Sequence, residues 1–326
     1  MRLDGQLDSA LLSSRIHHAI LTMARLRNVV SSLRQEGVEV DFHAARDALD
    51  GKRATRPGEQ EVLRFAKEYA TIHEADRLPA LTKSYILKLH GRLYAGYDDD
   101  AYRPGRFKAE QNGVGPFPGY WTFECTPPER TEAELDALLE WYHTNRTTEP
   151  AIGVASTFFA EFQCIHPFHD GNGRIGRVLN AHVLKDLGFS NIGLVPLDAR
   201  FFRSGETYYT KIASTNTGTT WIPWANYYAA ELHKAYEAAA KMGGLDGLLA
   251  KQSTESARHV LAWAISRGDD WFQRNDVPLV DYQPGTISVA LRDLRDSGAL
   301  EMTGDKKGAR YRIKTELLQD IFRGAI

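Results

Sequence analysis

Residues 152–165 of this 326-residue chain place Ile152, Val154, Phe158, Phe159, Phe162 and Ile165 around nearly every side of a helix. Such a helix is stable only at the centre of a domain, with other layers packed around it. After a break at 166–172, the helical period resumes through Ile175, Val178, Leu179 and Val183 and stops at Gly188. Two helices joined by a short loop therefore form the expected centre. Helical spacing also runs from residue 8 to about 36 (Leu12, Ile16, Ile20, Met23, Val30, Leu33), with Gly37 as its stop, and again over 59–74, 81–94 and 221 to about 241. Thr131 with Glu134 has the form of a capping box and predicts a helix from 131 to about 145. Glycines and prolines crowd residues 95–120, which predicts an irregular segment or a short hairpin.

The tail reads differently. Residues 242–247 are the linker candidate. Beyond them come a helix at 254–267, a short apolar stretch near Asp276 to Asp281, a helix at about 285–297, and two short strands at 299–302 and 309–313. Helix, helix and hairpin in that order suit a small winged-helix module. The expected fold class is mostly α, with the chain divided into a helical region 1–80, a core 81–242 and a winged-helix-like domain 251–326.

Composition narrows the function classes. Lys+Arg 40 against Asp+Glu 42 leaves a net charge of −2, so a site for a polyanion must be local. Two cysteines, Cys125 and Cys164, without CxxC spacing point to a reducing cytoplasm rather than a disulfide scaffold. The N-terminal residues lack a signal-peptide pattern, and no apolar stretch is long enough to cross a membrane.

The chemistry gathers in His166-Pro167-Phe168-His169-Asp170-Gly171-Asn172-Gly173-Arg174-Ile175-Gly176-Arg177. Gly171-Asn172-Gly173 leads into a helix N-terminus, where free backbone N–H groups and the positive end of the dipole attract an anion. Arg174 and Arg177 add rigid guanidinium forks suited to phosphate oxygens. Asp170 is placed to hold a Mg²⁺ that bridges phosphates. His166 can be neutral at cellular pH and accept a proton. A transition-metal site from His166, His169 and Asp170 would leave the glycines and arginines without a role, and His169 reads as a surface residue. No Walker lysine or kinase-type glycine loop is present. Base, metal carboxylate and phosphate cradle together describe phosphoryl or nucleotidyl transfer.

These residues match HPFx[D/E]GNGRxxR, the motif of the Fic family, at every specified position, and the chain resembles that family from roughly residue 31 to 228. The resemblance implies a helical core with a β-hairpin flap and transfer of AMP from ATP to a Ser, Thr or Tyr hydroxyl of a target protein, which can be the chain itself. Carried over, it makes His166 the base and Asp170 the ligand of Mg²⁺ or Mn²⁺. Gly171, Asn172, Gly173, Arg174 and Arg177 become contacts to the ATP phosphates. Gly105, Arg106 and Phe107 through Gly113, Val114 and Gly115 resemble the flap that registers a target by strand addition. Tyr208, Tyr209 and Asn216 resemble the segment lining the adenine pocket.

Many Fic proteins also carry [ST]xxxE[GN], whose glutamate pairs with the second motif arginine and obstructs the ATP γ-phosphate. Ser32-Leu33-Arg34-Gln35-Glu36-Gly37 satisfies that pattern, which implies that Ser32 and Glu36 belong to an inhibitory helix. Ser13-Ser14-Arg15-Ile16 resembles the start of such a segment, but His17 stands where the glutamate should be. A retained glutamate also leaves room for removal of AMP from a modified protein. A nucleotide-sensing DNA-binding or scaffold protein is the rival of another class. Lys306, Lys307, Arg310 and Arg312 in the wing suit DNA phosphates, whereas interleaved Asp281, Asp293, Asp296, Glu301 and Asp305 suit a protein contact equally. Asp98-Asp99-Asp100 reads as a solvated turn. The N-terminal helices could supply a homodimer surface.

Overall fold

The computed structural model describes residues 14–49, 51, 54, 56–97, 102–114, 123–217, 220–243, 252, 254–267, 270–279, 282–305 and 308–314. Ser13, Asp98 to Asp100, Gly115, the linker from residue 244, Asp281, Lys306 and Lys307 lie outside these residues. Contacts divide the chain into two compact units, Arg25–Ala235 and a second made of Met1–Ala24 with Tyr236–Ile326. Among the described residues no helix is long and apolar enough to cross a membrane.

The elements follow as α1 (Ser14–Gln35), α2 (Phe42–Leu49), α3 (Pro57–His73), α4 (Lys83–Leu93), β1 (Gly113–Val114), β2 (Phe123–Glu124), α5 (Pro128–Asn145), α6 (Ala151–Ile165), α7 (Asn172–Asp186), α8 (Leu197–Ser204), α9 (Glu206–Thr217), α10 (Ile222–Gly243), α11 (Glu255–Arg267), α12 (Pro284–Asp296), β3 (Leu300–Thr303) and β4 (Arg310–Ile313). The protein is mostly helical, with two small antiparallel strand pairs among the described residues.

As its apolar surface requires, α6 lies at the centre of the first unit, packed between α5 and α7. Val154, Phe158, Phe159 and Phe162 are all at most 1% exposed, and each such side chain contributes roughly 1.5–3 kcal/mol on burial. The Phe159 ring meets Phe201, Tyr208 and Trp224, and the Trp224 indole N–H donates to the Ser156 carbonyl, so its one polar group is satisfied in the core. The end of α3 is capped from α7. Lys185 Nζ donates to the carbonyls of Ile72, His73 and Ala75 at 2.8–2.9 Å, partners that the last helical turn lacks.

Two expectations shift. Thr131 does not start α5. Pro128 occupies the first turn, where a missing N–H costs nothing, and the buried Thr131 hydroxyl donates back to the Pro127 carbonyl. Residues 42–49, assigned no element from the sequence, form α2, opened by Asp41, whose Oδ1 accepts the Ala44 N–H at 2.8 Å.

In the C-terminal residues α11 packs on α12, and β3 pairs with β4 in the register Leu300↔Ile313 to Thr303↔Arg310. Val260, Leu261, Ile287, Leu291, Leu294, Leu300 and Ile313 form its core. Helix, helix and hairpin occur in the order expected from the sequence.

Candidate active site

The loop between α6 and α7 carries the motif. His166 ends α6 in the left-handed conformation (φ 50°, ψ 61°), a strained state for a residue with a β-carbon. His166 Nδ1 lies 3.0 Å from the Gln163 carbonyl, which can only accept, so the proton sits on Nδ1 and Nε2 keeps its lone pair. The His166 pKa is lowered to about 4, chiefly by burial; the Gln163 hydrogen bond opposes this, Lys108 adds to the lowering, and Glu36 and Asp170 oppose it. A neutral imidazole with a free Nε2 is a competent base at neutral pH.

Phe168 is fully buried and its ring stacks on His90 at 3.9 Å. His90 Nδ1 accepts the Gly105 N–H at 2.9 Å, leaving its Nε2–H to donate to the Asp170 carbonyl at 3.2 Å. Asn172, also buried, donates to the Phe168 carbonyl at 2.7 Å and accepts the Phe168 N–H at 2.8 Å. Its side chain thus holds the loop closed, and the backbone amides at the start of α7 are what the loop leaves for an anion. Gly171 is left-handed (φ 81°), and a β-carbon there would lie 2.2 Å from the Tyr94 hydroxyl oxygen, so glycine is required.

Asp170 Oδ2 accepts from Arg174 at 2.6 Å and from the Tyr94 hydroxyl at 3.2 Å. Burial pushes the Asp170 pKa upward, but Arg174, the Gly171 N–H and Tyr94 together hold it below the usual carboxylate value. An ionised, partly exposed single carboxylate beside an anion cradle fits Mg²⁺, which takes one or two carboxylates and completes its shell with phosphates and water.

Both motif arginines are engaged by carboxylates. Arg174 donates to Glu61 Oε2 at 2.9 Å and lies over the Tyr94 ring. Arg177, 1% exposed, donates through Nε to Ser32 Oγ at 2.7 Å and through one terminal nitrogen to the Ser32 carbonyl at 3.0 Å and Glu36 Oε1 at 2.7 Å. Glu36 Oε1 would lie 2.1 Å from a β-carbon built on Gly173. The Glu36 carboxylate therefore fills the space above the first turn of α7, where an anion would bind.

The flap residues Gly113 and Val114 form β1, paired with Glu124 and Phe123 of β2, while Gly105, Arg106 and Phe107 precede it. Asn216 on α9 donates to the Glu124 carbonyl at 3.2 Å, which joins the segment expected to line an adenine pocket to β2. Tyr209, seven residues earlier on the same helix face, is half-buried and donates to the Gln35 carbonyl at 3.4 Å. Of the two tyrosines, Tyr208 is the one that faces inward. It is 3% exposed within the Phe159, Phe201 and Trp224 cluster, because its position on α9 faces the core. His169 is exposed, as expected of a surface residue. Burial raises both thiols, Cys125 to about 12 and Cys164 to about 11, in keeping with small core residues.

Glu61, Tyr94, His90, Gln163, Lys108 and Asn112 also build the site and were not singled out from the sequence. Gln163, a polar residue between Phe162 and Cys164 on a mostly apolar helix, was a usable signal; the others carry none outside the fold.

Comparison with known proteins finds similarity to the same family. Residues 80–184 match the profile of the Fic/DOC family. The chain is 28% identical over 96 residues to the Aquifex aeolicus protein named probable protein adenylyltransferase aq_aa38, covering 29% of this chain and 27% of that protein. It is 29% identical over 145 residues to Caenorhabditis elegans protein adenylyltransferase fic-1, covering 44% of this chain and 26% of the relative. The matched region thus spans about a quarter of each relative's length. A solved Fic family protein from Desulfovibrio desulfuricans shares the fold, with a TM-score of 0.63 at 23% identity over 96% of this chain and 95% of that one.

Proposed function

We propose that this Fic family protein, whose Fic/DOC domain occupies residues 80–184, transfers AMP from ATP to a hydroxyl of a target protein and is restrained by Glu36. The observation that carries it is the neutral His166, with Nε2 free, beside an anion cradle that already holds a carboxylate and two arginines. In the transfer, the target Ser, Thr or Tyr hydroxyl attacks the α-phosphorus, its proton passes to His166 Nε2, and the bond to the β-phosphate breaks to release pyrophosphate. The amides opening α7 and the guanidinium of Arg177 hold the phosphates, and Tyr209 with Asn216 borders the adenine. Asp170 would hold Mg²⁺ or Mn²⁺, which supplies charge neutralisation on the phosphates. The flap edge at Gly113 and Val114 accepts the target's backbone as an added strand.

Glu36 is the restraint because it occupies Arg177 and the space over Gly173 at once. Glu36→Gly should therefore raise incorporation of α-labelled AMP into the chain itself or into lysate proteins, and adding His166→Ala should abolish it. No labelling from Glu36→Gly with Mg²⁺ present would refute the assignment. The same carboxylate supports a second reading, removal of AMP, in which Glu36 orients a water in the cradle. That reading requires an AMP-labelled protein to lose its label faster with wild type than with Glu36→Gly.

The C-terminal residues favour a protein contact over DNA. Arg312 pairs with Glu301 and lies over Trp271, and Arg295 pairs with Asp296, so these cations are already neutralised within the chain. A cytoplasmic location and self-association into a homodimer complete the proposal.

A further inference from the structure

Four consecutive backbone carbonyls of the catalytic loop, those of residues 165, 166, 167 and 168, accept hydrogen bonds from two residues of the flap's first limb. Lys108 Nζ donates to the Ile165 carbonyl at 3.1 Å, and the Lys108 backbone N–H donates to the Pro167 carbonyl at 2.9 Å. Asn112 Nδ2 donates to the carbonyls of His166 at 3.2 Å and Phe168 at 2.9 Å. The two residues are tied to each other, Lys108 Nζ to Asn112 Oδ1 at 2.6 Å, and β1 begins at the residue after Asn112. Lys108 is 4% exposed. Its donors are met by neutral oxygens rather than by a carboxylate, an arrangement costly enough to need a use.

We propose that Lys108, acting with Asn112, is a positioning residue: a buried ammonium that clamps the flap to the His166 loop, so that a strand added to the flap and the catalytic imidazole share one rigid frame. The proposal rests on the assignment of His166 as base. Left-handed His166 needs such a frame, because strained backbone persists only where its surroundings over-determine it. Charge gives the clamp a second effect. The charged groups acting on the His166 ring are Lys108, Glu36 and Asp170, and Lys108 is the positive one that opposes protonation. Burial lowers Lys108 itself to about 8, and the titratable group beside it, Cys125, stays protonated, so the ammonium is present at neutral pH.

The test uses the full chain. His166 is titrated by NMR of ¹³C-labelled histidine in wild type, Lys108→Met, Lys108→Arg and Asn112→Ala, and AMP labelling from α-labelled ATP is measured for each change in the Glu36→Gly background. Lys108→Met should shift the His166 midpoint upward by about one pH unit. It should lower kcat roughly 100-fold, with the KM for ATP held within about twofold. Lys108→Arg should keep the wild-type midpoint and recover much of kcat. Asn112→Ala cuts two of the four carbonyl bonds and leaves the ammonium in place, so it should lower kcat without moving the midpoint; it also carries the test if Lys108→Met does not fold. Coincident titrations of wild type and Lys108→Met, or an unchanged kcat in Asn112→Ala, would overturn the clamp. If Glu36→Gly labels nothing while Lys108 is intact, the transferase assignment fails, and the His166 titration still judges the charge effect of Lys108.

Discussion

At Gly173 the proposed function sets the glutamate and the nucleotide in competition for one small volume. A β-carbon there meets Glu36 Oε1 at 2.1 Å and an Arg177 terminal nitrogen at 3.1 Å. Gly173→Ala should evict the carboxylate yet fail to activate, since the methyl group fills the space the phosphates require. Its ATP affinity should fall at least about tenfold by calorimetry, whereas Glu36→Gly should bind ATP about tenfold more tightly. Opposite signs from two changes that both disrupt the Glu36 contact would separate occupancy of the cradle from mere loss of the ion pair. The twelve residues from His166 to Arg177 were readable in the sequence because base, carboxylate, glycines and arginines fall in one stretch. Glu61, Tyr94, Lys108 and Asn112 were not, since they reach the motif from 56 to 113 positions away and nothing local marks that approach. Tyr208 and Tyr209 show the finer limit: neighbours in sequence, they point to different sides of one helix, and only packing decides which is core.

On α1 the proposed restraint would be a property of the element as much as of Glu36. Asn28, Ser32 and Glu36 stand four residues apart along one face. Asn28 joins the Val195 carbonyl and the Asp198 N–H, Ser32 joins Arg177, and Glu36 reaches Arg177 just beyond the helix end. What ends the helix there is Gly37, left-handed at φ 78°, with its N–H on the Arg34 carbonyl and the Val38 N–H on the Leu33 carbonyl. No atom lies within 4 Å of a β-carbon at Gly37, so Gly37→Ala carries a backbone cost of roughly 1–2 kcal/mol and no clash. Its melting temperature should fall by about 2–8 °C, and AMP labelling should rise because the turn presenting Glu36 loosens. Equal labelling with the lower melting point would mean that the Glu36 contact does not depend on that stop. The end of α1 was legible because a glycine closes a long period. Residues 42–49 were not, because eight residues hold barely two turns and the Asp41 cap is their one local mark. Thr131 misled for a related reason: a capping pattern inside a helix looks like one at its start unless Pro128 is weighed first.

Across the Arg25–Ala235 unit the titratable groups add up to a sensitivity to acid. Burial lowers His73 to about 3 and His90, His166 and His182 each to about 4, against about 6.5 for histidine in an unfolded chain. Between roughly pH 6.5 and 4 the unfolded chain therefore binds more protons than the native one, and stability is lost as pH falls through that window. Asp198 works in the opposite sense. Burial raises it to about 6, so its native form takes up a proton where the unfolded form stays ionised, and its contribution is present in acid and lost as pH rises through 6. Burial raises Glu161 in the same sense as Asp198, while Asp170 and Asp186 are held low by their partners and add to the four depressed histidines, so the balance is a net loss on acidification. His73 isolates the effect, because neither ring nitrogen has a hydrogen-bond partner among the described residues and the ring lies against Tyr69 at 5.4 Å. Replacing it with Phe keeps the ring contact and removes both the titration and two unsatisfied nitrogens. Urea unfolding of the full chain should show wild type losing stability between pH 7 and 4.5, with His73→Phe recovering roughly 2–3 kcal/mol of that loss. At pH 7 His73→Phe should already be the more stable by about 1–3 kcal/mol, because the unsatisfied nitrogens are removed at every pH, and the gap should widen as pH falls. Parallel losses in wild type and His73→Phe would place the acid sensitivity in the remaining buried histidines, His90, His166 and His182.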